Sequence, residues 1–497
     1  MLARLSFAVV AAFSFGFAPA NAQEPSVFQP AWQERLFHVD AMMEYSIEVD
    51  EAIGVETLII QDGQVLLHKA YGVEDVDTQK PLAPGAIWSV KSMTKPVVAL
   101  AILMLVDEGK LELREPISTW LPDFAGDHRV TVSDLLSHKS GVSGLGWNGT
   151  EFATFEEWVV TWGMRPPEGP IGQYRYSDFN FAVAALIIAD RSGQSTEDFI
   201  AERILRPLGM EDSHLTFDPT YDWASRVPSR YVKGADGFEE VWDQKSDIWY
   251  RFFPGGWGLW SSAKDYAKFL QFWIDRGSIN GKQLIDPALI DLALTPHTRQ
   301  VPGRWGYGLG WNLHGSDTNR RRPASFAHGG YDGTRAYAYP ESNTIALVLT
   351  HSRGSLLLSQ AEEEIVAVED LGATSAAISF PRELDWSPNL SDEIAEGWIG
   401  KYSGRAFVGG EEANPVTMTI EREGENLVWK AEISSADGTL LRTSNIVIED
   451  DQTAWHSLYR DGQLFYIRND RRLTLSPDGR LTLKSGERVV AEASKVP

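Results

Sequence analysis

Residues 56–72, ETLIIQDGQVLLHKAYG, set the tightest constraint on the fold. Two apolar runs flank Asp62-Gly63, and a D-G pair between strand-like runs marks a tight hairpin. The next strand-like segments, RAYAYPE and NTIALVLTH, come only at 335–351. Between them, from Ser92 to about residue 300, the texture is helical, with loops rich in Gly, Pro and Trp. FAVAALIIADRSG, 181–193, reads as a buried helix closed by Gly193 and too short to span a bilayer. A lone hairpin is marginal in water, so strands at both ends of a helical middle are expected to close one sheet. The expected class is α+β, an antiparallel sheet flanked by helices.

At 497 residues the chain is too long for one compact core. SLLLSQAEEEIVAVEDLG, 355–372, reads as a further helix, and 373–392, rich in Ser, Ala and Pro, as a linker. Over 393–497 short β runs are punctuated by Asp437-Gly438, Asp461-Gly462 and Asp478-Gly479. That pattern predicts a small antiparallel β domain, barrel or sandwich, and it carries no catalytic constellation.

Charge and composition narrow the partners. The formal charge of −24 repels phosphate backbones and anionic headgroups, so neither nucleic acid nor a membrane surface is an expected partner. There is no cysteine, which removes disulfides, thiolate zinc sites, cysteine nucleophiles and a lipoprotein anchor together. The ten histidines show no HExxH or comparable ligand spacing, so a metal site has no sequence support. The start, MLARLSFAVVAAFSFGFAPANAQEP, has Arg4, an apolar stretch and Ala20-Asn21-Ala22 in A-x-A form. It reads as a signal peptide over 1–22, leaving a main domain over 23–372 and a periplasmic or secreted protein. Oligomeric state is not legible.

Three short stretches carry candidate chemistry. SMTKPVVALAILMLVDEGKL puts Ser92 in the first turn of a helix, where free N–H groups favour developing negative charge, and Lys95 one turn on. A lysine beside a serine hydroxyl stabilises the alkoxide or, if neutral, accepts its proton. Serine at a helix start is also an ordinary cap, and Ser261 and Lys264 repeat the spacing. There Ser262 and Asp265 form a capping-box pattern that structure explains better. In QYRYSDFNF, Tyr176 lies in a polar turn before a buried helix, and relays a proton only if its neighbours perturb it. In FAHGGYDGTRAYAYP, Gly329 and Gly330 let backbone approach a ligand, and the strand edge offers an N–H to an oxyanion.

Taken together and in order, Ser92-Met93-Thr94-Lys95, Tyr176-Ser177-Asp178 and His328-Gly329-Gly330 resemble the S-x-x-K, Y-x-N and K-T-G or H-x-G motifs of the serine beta-lactamase and penicillin-binding-protein superfamily, class C-like branch. DLLSHKSGV, PGGWGLWSSAKDYAKF and WGYGLGW add family-like stretches, and the resemblance covers roughly residues 40 to 370. It implies a beta-lactamase/transpeptidase-like fold with an all-helical subdomain. Ser92 would form an acyl-enzyme, with Lys95 and Tyr176 handling its proton, the base being either. The N–H groups of Ser92 and Tyr331 would make the oxyanion hole, and His328 would stand where K-T-G has its lysine.

Two departures bear on substrate. Asp178 replaces the asparagine of Y-x-N, trading an amide donor for a negative charge, and His328 replaces a permanent cation. Both weaken the pull on a substrate carboxylate. The expected activity is therefore ester cleavage of a small molecule, with an amidase or peptidase acting on D-residue peptides next. A weak beta-lactamase, an acyltransferase and a non-turnover acyl-binding sensor stay as alternatives. His138 is expected to hold its loop rather than act as a base. Tryptophans in 242–260 are candidates for a substrate wall but fit core packing at least as well. Ser89 and Lys91 read as flanking residues.

Overall fold

The computed structural model describes residues 39–353 and 392–496, except positions 41–42, 45, 49, 123, 125–128, 143–151, 235–236, 247–251, 302–304, 315–322, 409–411, 424–425, 436–437, 449–451, 461–462 and 486–487. The expected signal peptide, the helix at 355–372 and nearly all of the expected linker lie outside the described residues.

The hairpin forms as expected. Strands Gly54–Gln61 and Gln64–Asp75 pair antiparallel around Asp62-Gly63, with Gln61 opposite Gln64. The distant strand Thr344–Thr350 then pairs with Gly54–Gln61, running from Val55 opposite Thr350 to Gln61 opposite Thr344. The resulting sheet has nine strands. From one edge they run Thr298–Val301, Trp305–Tyr307, Asn312–His314, Ser325–Gly329, Arg335–Tyr339, Thr344–Thr350, Gly54–Gln61, Gln64–Asp75 and Lys80–Pro81.

Both faces of this sheet are covered, which explains why its central strands are nearly continuous runs of apolar residues. On one face Leu58, Leu347 and Leu349 join the main core with helices Lys95–Asp107, Asp178–Ser192 and Ala263–Ile274. On the other, Val55, Ile59, Ala346 and Val348 pack with Val39 and Met43. Helix Lys95–Asp107 is buried on every side from Lys95 to Leu105. Each fully buried Leu or Ile there contributes about 1.5–3 kcal/mol, which anchors the helix in the main core. Helix Asp178–Ser192 ends at Gly193, whose φ of 74° is the left-handed cap expected from the sequence.

The helical middle is not helical throughout. Arg230–Gly234 and Gly237–Trp242 form a hairpin, and Ser352–Arg353 adds to it in parallel. Of the two alternatives for the C-terminal β domain the barrel is observed. Eight strands from Gly400–Val408 to Arg488–Lys495 pair in sequence and close through Tyr402 opposite Lys495 to Ala406 opposite Ala491. Closure leaves no strand edge unpaired, and Tyr402, Met418, Trp429, Leu473 and Leu481 fill the interior. No helix among the described residues is long and apolar enough to cross a membrane.

Candidate active site

Ser92 sits not in the α-helix itself but in a tighter 3-10 turn, Lys91–Thr94, that leads into Lys95–Asp107. Pro96 lies in the first α-helical turn, where its missing N–H breaks no bond. The turn is tied down from several sides. Val90 N–H donates to the Leu259 carbonyl at 3.1 Å, and Leu259 N–H returns a bond to Thr94 Oγ1 at 3.1 Å. Tyr266 Oη donates to the Met93 carbonyl at 2.8 Å. The first bond inside the turn is Met93 N–H to Val90 carbonyl, 3.1 Å, so the Ser92 N–H precedes it. Ser92 is half-buried.

Lys95 is fully buried and spends all three ammonium donors locally. It donates to Ser92 Oγ at 3.0 Å, to the Gly256 carbonyl at 2.8 Å, and to the Asp178 carboxylate. Only glycine permits this approach: a Cβ on Gly256 would lie 2.8 Å from the Asp178 carbonyl oxygen. The neighbouring Gly255, at φ +74°, would put its Cβ 2.2 Å from the Phe181 carbonyl. Burial pulls the lysine pKa down, but Asp178 and Tyr176 outweigh it and the net direction is up. Lys95 is therefore an ammonium at neutral pH.

Tyr176 is 38% exposed as a residue, yet its hydroxyl turns inward to both Lys95 and Ser92. Desolvation of that end raises its pKa, Lys95 opposes the rise, and Asp178 adds to it, leaving it raised. The Lys95 ammonium lies 4.8 Å from the Tyr176 ring centroid. Asp178 thus corrects a sequence expectation. It does not merely add charge facing substrate; it is the direct ion-pair partner of Lys95, with its side chain only 13% exposed.

Behind Tyr176 a buried chain of rings sets its position. His138 Nδ1 accepts from Ser177 N–H at 3.1 Å, so in the neutral ring the proton is on Nε2, which meets Tyr307 Oη at 3.2 Å. Tyr307 then donates to His328 Nε2 at 3.3 Å, and His328 Nδ1–H meets the Gly329 carbonyl at 2.9 Å. With both imidazoles neutral, every member of the chain has its partner. Burial, reinforced by Lys95, pushes His328 down to about 3 and holds His138 well below its ordinary value. His328 supplies no cation where K-T-G has a lysine. The His138 ring also lies 4.4 Å from that of Tyr176, in keeping with a loop-holding role.

Strand Ser325–Gly329 delivers Gly329 and Gly330 beside the nucleophile turn. A Cβ on Gly330 would fall 2.6 Å from the Val90 carbonyl and 2.1 Å from Thr334 Oγ1, so the strand end touches the residue before the turn only because position 330 is glycine. Tyr331 follows, 67% exposed, with the Arg353 guanidinium 4.4 Å above its ring.

Ser92, Lys95, Tyr176 and Asp178 therefore meet directly, and His328 joins through Tyr307. Sequence reasoning assigned no role to Gly256 or Tyr307, although both lie in stretches singled out, PGGWGLW and WGYGLGW. The second S-x-x-K is structural: Ser261 is buried against Ser213 at 2.8 Å, and Ser262 Oγ caps its helix by accepting from Asp265 N–H. Trp242 and Trp260 belong to an apolar cluster with Phe217, not to the site. Among the described residues no cluster of His, Asp or Glu is arranged to hold a metal.

A serine hydroxyl, a buried ammonium and a tyrosine hydroxyl in mutual contact, on this sheet-and-helix scaffold, define a serine hydrolase of the beta-lactamase and penicillin-binding-protein superfamily. The sequence profile of the Beta-lactamase family matches residues 39–368, and the chain belongs to that family. It is 24% identical over 335 residues to Esterase EstB of Burkholderia gladioli, covering 58% of this chain and 82% of that protein. Penicillin-binding protein 4* of Bacillus subtilis (strain 168) is 23% identical over 465 residues, covering 86% of this chain and 98% of that one. The solved structure of EstCE1, a hydrolase with promiscuous acyltransferase activity, superposes with a TM-score of 0.60 at 19% identity, over 68% of this chain and 99% of its own.

Proposed function

We propose that this chain cleaves small, uncharged esters through an acyl-enzyme on Ser92. Ser92 Oγ attacks the ester carbonyl carbon, and the N–H groups of Ser92 and Tyr331 receive the oxyanion. The serine proton passes to the Tyr176–Lys95 pair and then to the departing alkoxide. Water repeats the sequence and frees the acid. The reactive form is the one in which Tyr176 and Lys95 together have given up one proton. Asp178 holds that proton on, so activity rises with pH above neutrality.

The observation that carries the ester reading is the neutral His328, buried beside Tyr307 with its pKa pushed down to about 3. A site without a cation there has little hold on the carboxylate that beta-lactams and cell-wall peptides carry. An alkoxide also leaves more readily than an amine, which asks less of the site. The likeness to EstB supports the same reading. Cleavage of D-residue amides is the second reading, supported by the likeness to a penicillin-binding protein. Acyl transfer, with another nucleophile replacing water, is the third, supported by the likeness to EstCE1 and its promiscuous acyltransferase activity.

A panel of short and long p-nitrophenyl esters, D- and L-aminoacyl amides and a chromogenic cephalosporin separates these readings. Short esters are expected to turn over fastest, Ser92→Ala to abolish turnover, and Ser261→Ala to leave it intact. Retained activity in Ser92→Ala would overturn the assignment of the nucleophile. The apolar start and Ala20-Asn21-Ala22 support export with cleavage before Gln23. The intact mass of protein recovered from the native host tests it.

A further inference from the structure

Immediately behind the nucleophile turn lies a buried charge cluster that the proposed chemistry does not use. Lys91, the residue before Ser92 and in the sequence only a neighbour of the motif, is 7% exposed. Its Nζ lies 3.5 Å from Asp332 Oδ2. Asp332, 3% exposed, directly follows Tyr331, and its carboxylate is met from the other side by Arg230 at 2.9 and 3.2 Å. His351 completes the group: its Nε2 accepts from Ser89 N–H at 3.1 Å and its Nδ1 donates to the Pro228 carbonyl at 3.1 Å.

The placement is specific. The two ends of the Lys91–Asp332 pair are each one residue from a donor of the oxyanion hole, Ser92 N–H and Tyr331 N–H. Thr334 Oγ1 also donates to the Val90 carbonyl at 3.4 Å, so the ion pair is a second tie between the same two segments, on the side of Lys91 and Asp332. Lys91 adopts φ 48°, in the left-handed region, a conformation that costs a non-glycine residue about 1–2 kcal/mol and persists where surrounding contacts enforce it. Arg230 anchors the pair to a separate strand, Arg230–Gly234, so three segments distant in sequence meet at one carboxylate.

We propose that Lys91 and Asp332, braced by Arg230, form a buried clamp that sets the spacing of the two oxyanion-hole donors. Both are positioning residues for the hydrolytic reaction and touch no substrate. Burial and the Arg230 charge push Lys91 down to about 8 while Asp332 opposes them, so the ammonium persists at pH 7 and the pair is intact there. Asp332, buried but flanked by Lys91 and Arg230, is held below the ordinary carboxylate range. The clamp rests on the reading that Ser92 is the nucleophile and that its N–H and that of Tyr331 bind the oxyanion.

Steady-state and single-turnover kinetics on a p-nitrophenyl ester test it at pH 7, with Lys91→Met, Asp332→Asn and the double variant. Lys91→Met is the informative substitution because Asp332 keeps Arg230 as its partner, so the protein stays folded. A misplaced oxyanion donor lowers kcat rather than raising KM, and displacements near 1 Å cost about 100-fold. The expected result is a roughly 10- to 100-fold fall in kcat and in the acylation rate of Lys91→Met, with KM within about 3-fold. The double variant is expected to be no slower than the worse single one, since both break one clamp. The clamp is overturned if folded Lys91→Met keeps kcat within about 2-fold of wild type, if the loss appears only in KM, or if the two substitutions multiply independently. Ser92→Ala, measured alongside, separates the two readings: activity surviving in it refutes the nucleophile, whereas an inactive Ser92→Ala beside a fully active Lys91→Met refutes only the clamp.

Discussion

Replacing Asp178 with asparagine restores the residue type of the Y-x-N motif and removes one negative charge from beside a buried cation. Lys95 is fully buried, and Asp178 is its only carboxylate hydrogen-bond partner among the described residues. Two unit charges about 4 Å apart interact by about 4 kcal/mol at an effective dielectric near 20. With one pH unit equivalent to about 1.36 kcal/mol, an interaction of that size is large enough to show in a pH profile. Asp178 raises both Lys95 and Tyr176, so its removal eases proton loss from the pair whichever of the two is the base. The ascending alkaline limb of kcat/KM, measured from pH 5 to 10 with an uncharged p-nitrophenyl ester, is expected to move acidward in Asp178→Asn. An uncharged substrate keeps electrostatic effects on binding out of the comparison. A variant profile lying within about half a unit of wild type would refute the claim that Asp178 governs the proton on the Tyr176–Lys95 pair. The stability linkage carries its own sign: with Lys95 raised above its ordinary value of 10.5, the pair's contribution is complete at neutral pH and is lost only as pH climbs through the folded value.

Acid should destabilise the protein through its buried neutral histidines. His328 and His351 are pushed down to about 3 and about 4, so between those values and 6.5 the unfolded chain binds the extra protons. Stability is then complete above pH 6.5 and falls by about 2 kcal/mol per histidine by pH 5, read as a shift in urea midpoint; a flat midpoint from pH 7 to 5 contradicts it. Gly330→Ala should push the strand end away from the nucleophile turn, because its Cβ would lie 2.6 Å from the Val90 carbonyl. A loss of about 1–3 kcal/mol in stability and a fall in kcat of about 10-fold or more are expected, by thermal melt and ester kinetics; a wild-type kcat would show that the contact does not position the site.

Much of this architecture is legible in local patterns. The hairpin around Asp62-Gly63 and the barrel's strand rhythm follow from turn chemistry and period-two alternation, which need only near neighbours in sequence. The helix closed by Gly193 needed only an apolar run and a cap residue. Ser92, Lys95, Tyr176 and His328 were recognisable because motif spacing survives as residue type. Their charge states were not, since those depend on what burial brings alongside. Asp178 meets Lys95 across 83 residues and the Gly256 carbonyl meets it across 161. Tyr307 was invisible as the link between His138 and His328 because a hydrogen-bond chain through three rings leaves no spacing to read.

Lys91 shows where the boundary falls. The chain's order alone makes it the neighbour of a nucleophile, with no stated purpose. Only folding buries it beside Asp332, itself held by Arg230, and so makes it half of an ion pair. The order of residues sets which side-chain types reach a serine hydrolase site and which elements carry them. Which of those groups are charged is settled by the closed fold, because ionisation in a protein follows solvent exclusion and partners that come together only on folding.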